Sequence, residues 1–197
     1  MKGLFTRLFQ GAQLLLFYLL NSHKYKKLEL KALVGKPRSI EGAGYISIHK
    51  SVIIRRDAWL LALKVDGTEP ELTFGEGCSI GYANHISAVR SVVLGKNVLT
   101  ANGVYISDNL HSFEDINVPI MRQPVKFKAA VSIGDGTWLG ENVCVVGARI
   151  GRNCVVGANS VVLHDIPDYS VAVGSPARVI KQFDAKTNKW AAVARGA

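Results

Sequence analysis

The sequence predicts an all-β chain wound as a parallel coil of short strands, and three observations carry that prediction. Glycine supplies 19 of the 197 residues, above the usual share of about 7%. From Ile40 onward, aliphatic residues recur every six positions. Glycine takes the second place of the six at Gly75, Gly81, Gly95, Gly134, Gly140, Gly151 and Gly157, a register that scattered glycines do not keep.

The elements follow in chain order. Hexads begin at Ile40, Ile46 and Val52, at Phe74, Ile80, Ile86, Leu94, Thr100 and Ile106, and at Ile133, Leu139, Val145, Ile150, Val156 and Val162. The fifth place is small or β-branched, as at Cys78, Val98, Val104, Thr137, Val143, Cys154 and Ser160. Each hexad is a short strand and a corner. First and fifth residues point inward, and Gly or Asn supplies corner conformations with positive φ. Three hexads close a triangular turn, and stacked turns bury what one turn cannot.

The interruptions are informative. Residues 58–73 predict an excursion, with a strand-like run from Ala58 to Val65 and a turn at Asp66-Gly67. The longest gap, 112–132, directly follows His111, and long loops in compact domains are usually functional. Residues 1–35 stand apart as an amphipathic helical arm: Leu4, Phe5, Leu8, Phe9 and Ala12 recur at helical spacing, and an apolar run spans Leu14 to Leu20. Arg7, Gln10 and Gln13 interrupt it, against a membrane span, and no small-residue cleavage site follows. Two roles stay open for it: packing on the protein, or peripheral contact of residues 1–30 with an anionic membrane. The chain thus divides into the arm, a coil domain over 36–181, and a tail over 182–197 expected to be helical.

Composition narrows the function classes. The net charge is +9, but the basic residues form no aromatic-interleaved stripe, so nucleic acid is not expected. Three cysteines do not make a secreted disulfide scaffold, which suits a cytoplasmic protein. Cys78 and Cys154 take inward places as core fillers. No metal site is expected, because the histidines lack a three-ligand pattern.

The hexads, the segment Ile106-Ser107-Asp108-Asn109-Leu110-His111 with its following loop, and the ending Gly174-Ser175-Pro176-Ala177-Arg178-Val179-Ile180 resemble the hexapeptide-repeat acyltransferases. Within these, the chain is most similar to the maltose and galactoside O-acetyltransferases and to those that modify lipopolysaccharide and capsule. The resemblance covers residues 40–181. It implies a left-handed parallel β-helix, a homotrimer with sites between subunits, and acetyl-CoA as donor.

The resemblance also implies roles. His111 stands where the family keeps its catalytic histidine; one imidazole can take the acceptor's proton and return it to the leaving thiolate. Asp108, Glu114 and Asp115 are the carboxylates that would orient it, Asp108 first, unless Asp108 only shapes its corner. Trp138 would wall the coenzyme cleft, the backbone at Gly140 and Glu141 would meet the thioester, and Gly157 and Ala158 would allow close approach. Arg178 and Lys181 match basic positions near the coenzyme phosphates, and His164 stands where relatives often carry Lys. On the acceptor side the pattern departs from the sugar enzymes: their acceptor Asn falls on Gly81 and an acceptor Asp on Val89. Tyr82, Asn84, His85 and Asp115 are the acceptor candidates here. The expected activity is O-acetylation of a sugar hydroxyl in surface polysaccharide or lipopolysaccharide assembly, at the inner face of the membrane if the arm binds there. The alternatives are N-acetylation of a nucleotide-linked amino sugar and a silent trimeric scaffold.

Overall fold

Eighteen short strands wind through six turns of a three-sided coil. In this computed structural model, residue 12 and residues 14–193 are described; the arm positions Leu4, Phe5, Arg7, Leu8, Phe9, Gln10 and Gln13 lie outside them. The first turn runs through β1 (Lys27–Leu28), β2 (Leu33–Val34) and β3 (Ser39–Glu41). The second holds β4 (Ile46–Ile48), β5 (Ile53–Ile54) and β6 (Trp59–Ala62). The third holds β7 (Glu71–Phe74), β8 (Ser79–Ile80) and β9 (His85–Ala88), and the fourth β10 (Ser91–Leu94), β11 (Leu99–Thr100) and β12 (Tyr105–Ser107). There the chain leaves the coil for an antiparallel pair, β13 (Asn109–His111) and β14 (Val125–Phe127). The fifth turn is β15 (Val131–Ile133), β16 (Trp138–Leu139) and β17 (Cys144–Val146); the sixth is β18 (Arg149–Ile150), β19 (Val155–Val156) and β20 (Val161–Val162).

Every third strand joins the same parallel sheet. Face A stacks β1, β4, β7, β10, β15 and β18, face B begins at β2, and face C begins at β3. Three corner columns join them: AB, BC and CA. The inward row is aliphatic and closed, as Ile80, Ile86, Leu94, Ile106, Ile133 and Leu139 are fully buried. The fifth-place fillers Cys78, Val98, Val104, Thr137, Val143, Cys154 and Ser160 are buried with them. All three cysteines are free, and burial pushes the Cys78 thiol up to about 11.

Corner chemistry explains the hexad. Asn97, Asn142, Asn153 and Asn159 all have positive φ, a conformation that Asn tolerates better than most residues. The second-place glycine answers a different demand, which is space: a Cβ on Gly81 would sit 2.2 Å from the Ala101 carbonyl oxygen in the next turn.

Four expectations are corrected. The first hexads begin at Ile48 and Ile54, two residues after Ile46 and Val52, because a 3-10 turn at Ala43–Tyr45 is inserted after β3. The excursion at 58–73 shrinks to 63–70, since β6 and β7 are ordinary coil strands paired in register. Residues 27–34, placed in the arm, already form β1 and β2. The tail is not a helix among the described residues. After β21 (Ser170–Gly174), β22 (Ala177–Asp184) and β23 (Lys189–Ala192) run antiparallel and extend face B. The open edge of β21 offers hydrogen bonds that a helix could not take, and the ring of Phe183 packs against Tyr169 and Trp190. At the other end a helix over 14–21 lays Phe17 and Tyr18 against the core.

Gly81→Ala should lower stability by about 1–3 kcal/mol in urea unfolding, the usual penalty for forcing extra volume into close packing. Gly44→Ala, where a Cβ meets nothing within 4 Å, should stay within about 0.5 kcal/mol of the parent.

Candidate functional site

His111 ends β13, outside the coil at the CA column, and its side chain is exposed. The β13–β14 ladder pairs it with Val125, and the Ser112 N–H donates to the Pro124 carbonyl at 2.9 Å. Beyond it the loop is closed by its own side chains. The Gln123 amide donates to the carbonyls of Asp115 and Val118 at 2.8 Å, and Glu114 pairs with Lys126. Asp115 accepts from the Asn117 N–H at 2.9 Å.

Asp108 shapes a corner, but that of the preceding turn and not its own. It is fully buried, and its carboxylate accepts from the backbone N–H groups of Val89, Arg90 and Ser91 at 2.7–3.2 Å and from the Asn109 amide at 2.9 Å. Those three N–H groups belong to the widened corner between Ile86 and Leu94. Asn109 also donates to the Ser87 hydroxyl at 3.1 Å, and Ser107 accepts from the Asn109 N–H. The base of the hairpin that carries His111 is therefore tied to the preceding turn through Asp108 and Asn109. Among the described residues none of Asp108, Glu114 or Asp115 hydrogen-bonds His111.

The residues expected on the donor side gather elsewhere. Trp138 pairs in register with Val155, Val155 with Val171, and Val171 with Lys181. This gives one outward row on face B, ending in a cation. Gly140 and Gly157 continue the next row, and Val173, paired with Arg178, completes it; a Cβ on Gly157 would meet Val173 Cγ1 at 2.8 Å. With strands about 4.8 Å apart, Trp138 and Lys181 stand roughly 14 Å from each other. Trp138 is 46% exposed, and Arg178 and Lys181 are exposed. A half-open apolar strip with two cations at its end suits a thin acyl-carrying arm attached to phosphates. The Gly140 N–H is spent on the Val156 carbonyl at 2.8 Å; the Glu141 N–H has no acceptor among the described residues.

The remaining candidates scatter. Tyr82 shares the BC column with Glu141: its N–H donates to Asn102 Oδ1 at 2.9 Å, and the Asn102 amide donates to Glu141. The sequence had not marked Asn102, although it holds the same hexad slot as Tyr82 and Glu141. Asn84 is fully buried, with its amide on the carbonyls of Tyr82 and Ala101, so it closes a corner and faces no cleft. His85 stands outside face C, stacked on Trp59 at 4.3 Å and tilted against Tyr105; desolvation, then Arg38, holds its pKa below the usual value. His164 follows β20 at the CA column, on the far side of face C from Gly157 and Ala158. It stands with neither Arg178 nor Lys181.

One chain therefore keeps two groups of the expected residues apart: His111 at the CA column, and Trp138, Gly140, Glu141, Gly157, Arg178 and Lys181 at face B and the BC column, with face C between them. Crossing from Val143 to Gly147 takes four residues, roughly 13 Å of strand.

The comparisons with known proteins agree with this architecture. The family model described as "Hexapeptide repeat of succinyl-transferase" matches residues 72–108 and 130–164. Over those two segments the chain is similar to the hexapeptide-repeat family. A provisionally named acetyltransferase of Mycobacterium tuberculosis is 44% identical over 114 residues, covering 57% of this chain and 38% of the relative. WbbJ of Escherichia coli K12, provisionally named a lipopolysaccharide biosynthesis O-acetyl transferase, is 38% identical over 125 residues, 59% of this chain and 63% of the relative. The chain thus spans less than two thirds of the length of either curated relative. Among solved structures, AntD, an N-acyltransferase of Bacillus cereus in complex with dTDP and 3-hydroxybutyryl-CoA, superposes with a TM-score of 0.68 at 18% identity, over 85% of this chain and 88% of that one. That likeness concerns the fold.

Asp108→Ala should destabilise the protein by about 3 kcal/mol or more, since hydrogen bonds to a charged group contribute about 1.5–3 kcal/mol and buried donors would be orphaned. Urea unfolding measures this. An unchanged midpoint with a collapsed kcat would instead make Asp108 a partner of His111.

Proposed function

We propose that the protein is an acetyl-CoA-dependent O-acetyltransferase that modifies a sugar hydroxyl in surface polysaccharide or lipopolysaccharide assembly. The observation that carries this reading is the pair of half-sites: an exposed histidine at the base of a long loop, and an apolar strip ending in Arg178 and Lys181. The name of the WbbJ relative supplies the acceptor class. The coil is left-handed in this reading, and three copies pack so that the CA column of one meets the BC column of the next, completing each site.

His111 accepts the proton of the acceptor hydroxyl as the oxygen attacks the thioester carbonyl carbon. The Glu141 N–H of the adjacent copy donates to the developing oxyanion, where a fixed donor is most effective. As the tetrahedral centre collapses, the carbon–sulfur bond breaks and His111 returns the same proton to the departing sulfur. The acetyl ester and the free thiol leave, and the imidazole is neutral again. No acyl-enzyme is required. Trp138, Val155 and Val171 line the coenzyme arm, while Lys181 and Arg178 meet its phosphates. Tyr82 and Asp115, on opposite columns of one chain, come to the acceptor from two copies. Asn84 is withdrawn from the acceptor set, because it is sealed inside a corner.

Thiol release from acetyl-CoA should depend on a sugar acceptor. His111→Ala should reduce kcat roughly 10²–10⁴-fold, what loss of a general base costs, with little change in unfolding midpoint or coenzyme affinity. The acceptor panel includes amino sugars: transfer to amines alone would replace the O-acetyl assignment with an N-acetyl one. Wild-type turnover in the His111 variant would remove His111 from the mechanism.

A further inference from the structure

The helix over 14–21 presents an unusual outer surface. At 100° per residue, Leu15, Leu19, Leu16 and Leu20 fall within one arc, and they are 49%, 62%, 57% and 59% exposed. The opposite arc carries Phe17 and Tyr18, which pack on the first turn of the coil, and Asn21, whose amide donates to the Phe17 carbonyl at 2.8 Å. A helix docked on a soluble domain ordinarily turns its polar side outward. Here the inward side anchors the helix and the outward side is entirely leucine.

The segment that follows the helix is strongly basic. Lys24, Lys26, Lys27, Lys31, Lys36 and Arg38 follow the helix and are exposed. The only acidic residue through position 40 is Glu29, already paired with Lys27 at 2.7 Å. The first 40 residues hold a net +7 of the chain's +9. Two such ends facing each other would repel, which argues against a second copy as the occupant. An apolar arc without hydrogen-bonding groups, followed directly by lysines, matches acyl chains beneath anionic headgroups. Among the described residues no helix is long and apolar enough to cross a membrane; leucines on one side and packing residues on the other are the pattern of a helix that lies along a surface.

We propose that Leu15, Leu16, Leu19 and Leu20 insert into an anionic lipid surface, with Lys24, Lys26 and Lys27 on the headgroups. This contact is independent of the chemistry at His111. The test is sedimentation of the full chain with vesicles of phosphatidylcholine, with or without phosphatidylglycerol, at low and high salt. Binding should be at least about tenfold stronger on the anionic vesicles and fall with salt. Leu16→Asp/Leu19→Asp should abolish it without moving the unfolding midpoint, because both side chains are exposed. Lys24→Gln/Lys26→Gln/Lys27→Gln should weaken it and flatten the salt dependence. No binding, equal binding to both vesicle types, or binding unchanged in the leucine variant would overturn the proposal. So would an oligomer that light scattering shows to dissociate in the leucine variant while the parent ignores vesicles, since that would assign the face to a second copy.

Discussion

Everything in this molecule depends on stacking in register. Each strand of the coil hydrogen-bonds to the strand one turn before and the strand one turn after, so a residue's place in its hexad decides both its direction and its neighbours. The tightest expression is at the corners, where the backbone of one turn approaches the next so closely that Gly81 has no room for a side chain. Once that approach is fixed, the rows on each face are fixed as well. Trp138, Val155, Val171 and Lys181 form a line because four strands keep a common register, not because any of them attracts another.

The same constraint explains how the fold tolerates departures. The corner between Ile86 and Leu94 carries two extra residues, and the N–H groups of Val89, Arg90 and Ser91 there need an acceptor. Asp108, one turn later, takes them up with its buried carboxylate. The repair is placed at the root of the hairpin that holds His111, so the widened corner and the loop are held by one side chain. The coil's ends are managed similarly: β22 and β23 continue face B past the last turn, and the helix over 14–21 covers the first.

Much of this was legible in the sequence. From Phe74 onward the hexads give the first-place inward residues correctly, because second-place glycines and fourth-place glycines or asparagines mark most corners. Between Ile40 and Phe74 the corners lack such markers, and the inserted turn at Ala43–Tyr45 shifts the register by two. The tail was misjudged because its strands exist only against the edge of β21, a partner that local pattern does not reveal. At the candidate site, the alignment of Trp138 with Val155 follows from the hexads after Ile133, whereas Lys181 and Arg178 join those rows only through the antiparallel β22. The work of Asp108 does not follow from the hexads, since its partners lie 17–19 residues earlier and are backbone groups without a sequence signature. Asn84 misled for a related reason: a polar residue in a fifth place is a corner closure when its amide meets two carbonyls.

The central claim is that one chain holds two halves of different sites, joined only when copies meet across their corner columns. Subunit complementation tests it most directly. His111→Ala and Arg178→Glu/Lys181→Glu, each inactive alone, are dissociated, mixed in equal amounts and reassembled. If sites form between neighbouring copies in a closed ring, about a quarter of them regain one intact histidine half and one intact donor half. Thiol release should then recover to about a quarter of the parent's specific activity. No recovery from fully mixed, reassembled protein would contradict the account and place the whole site within a single chain.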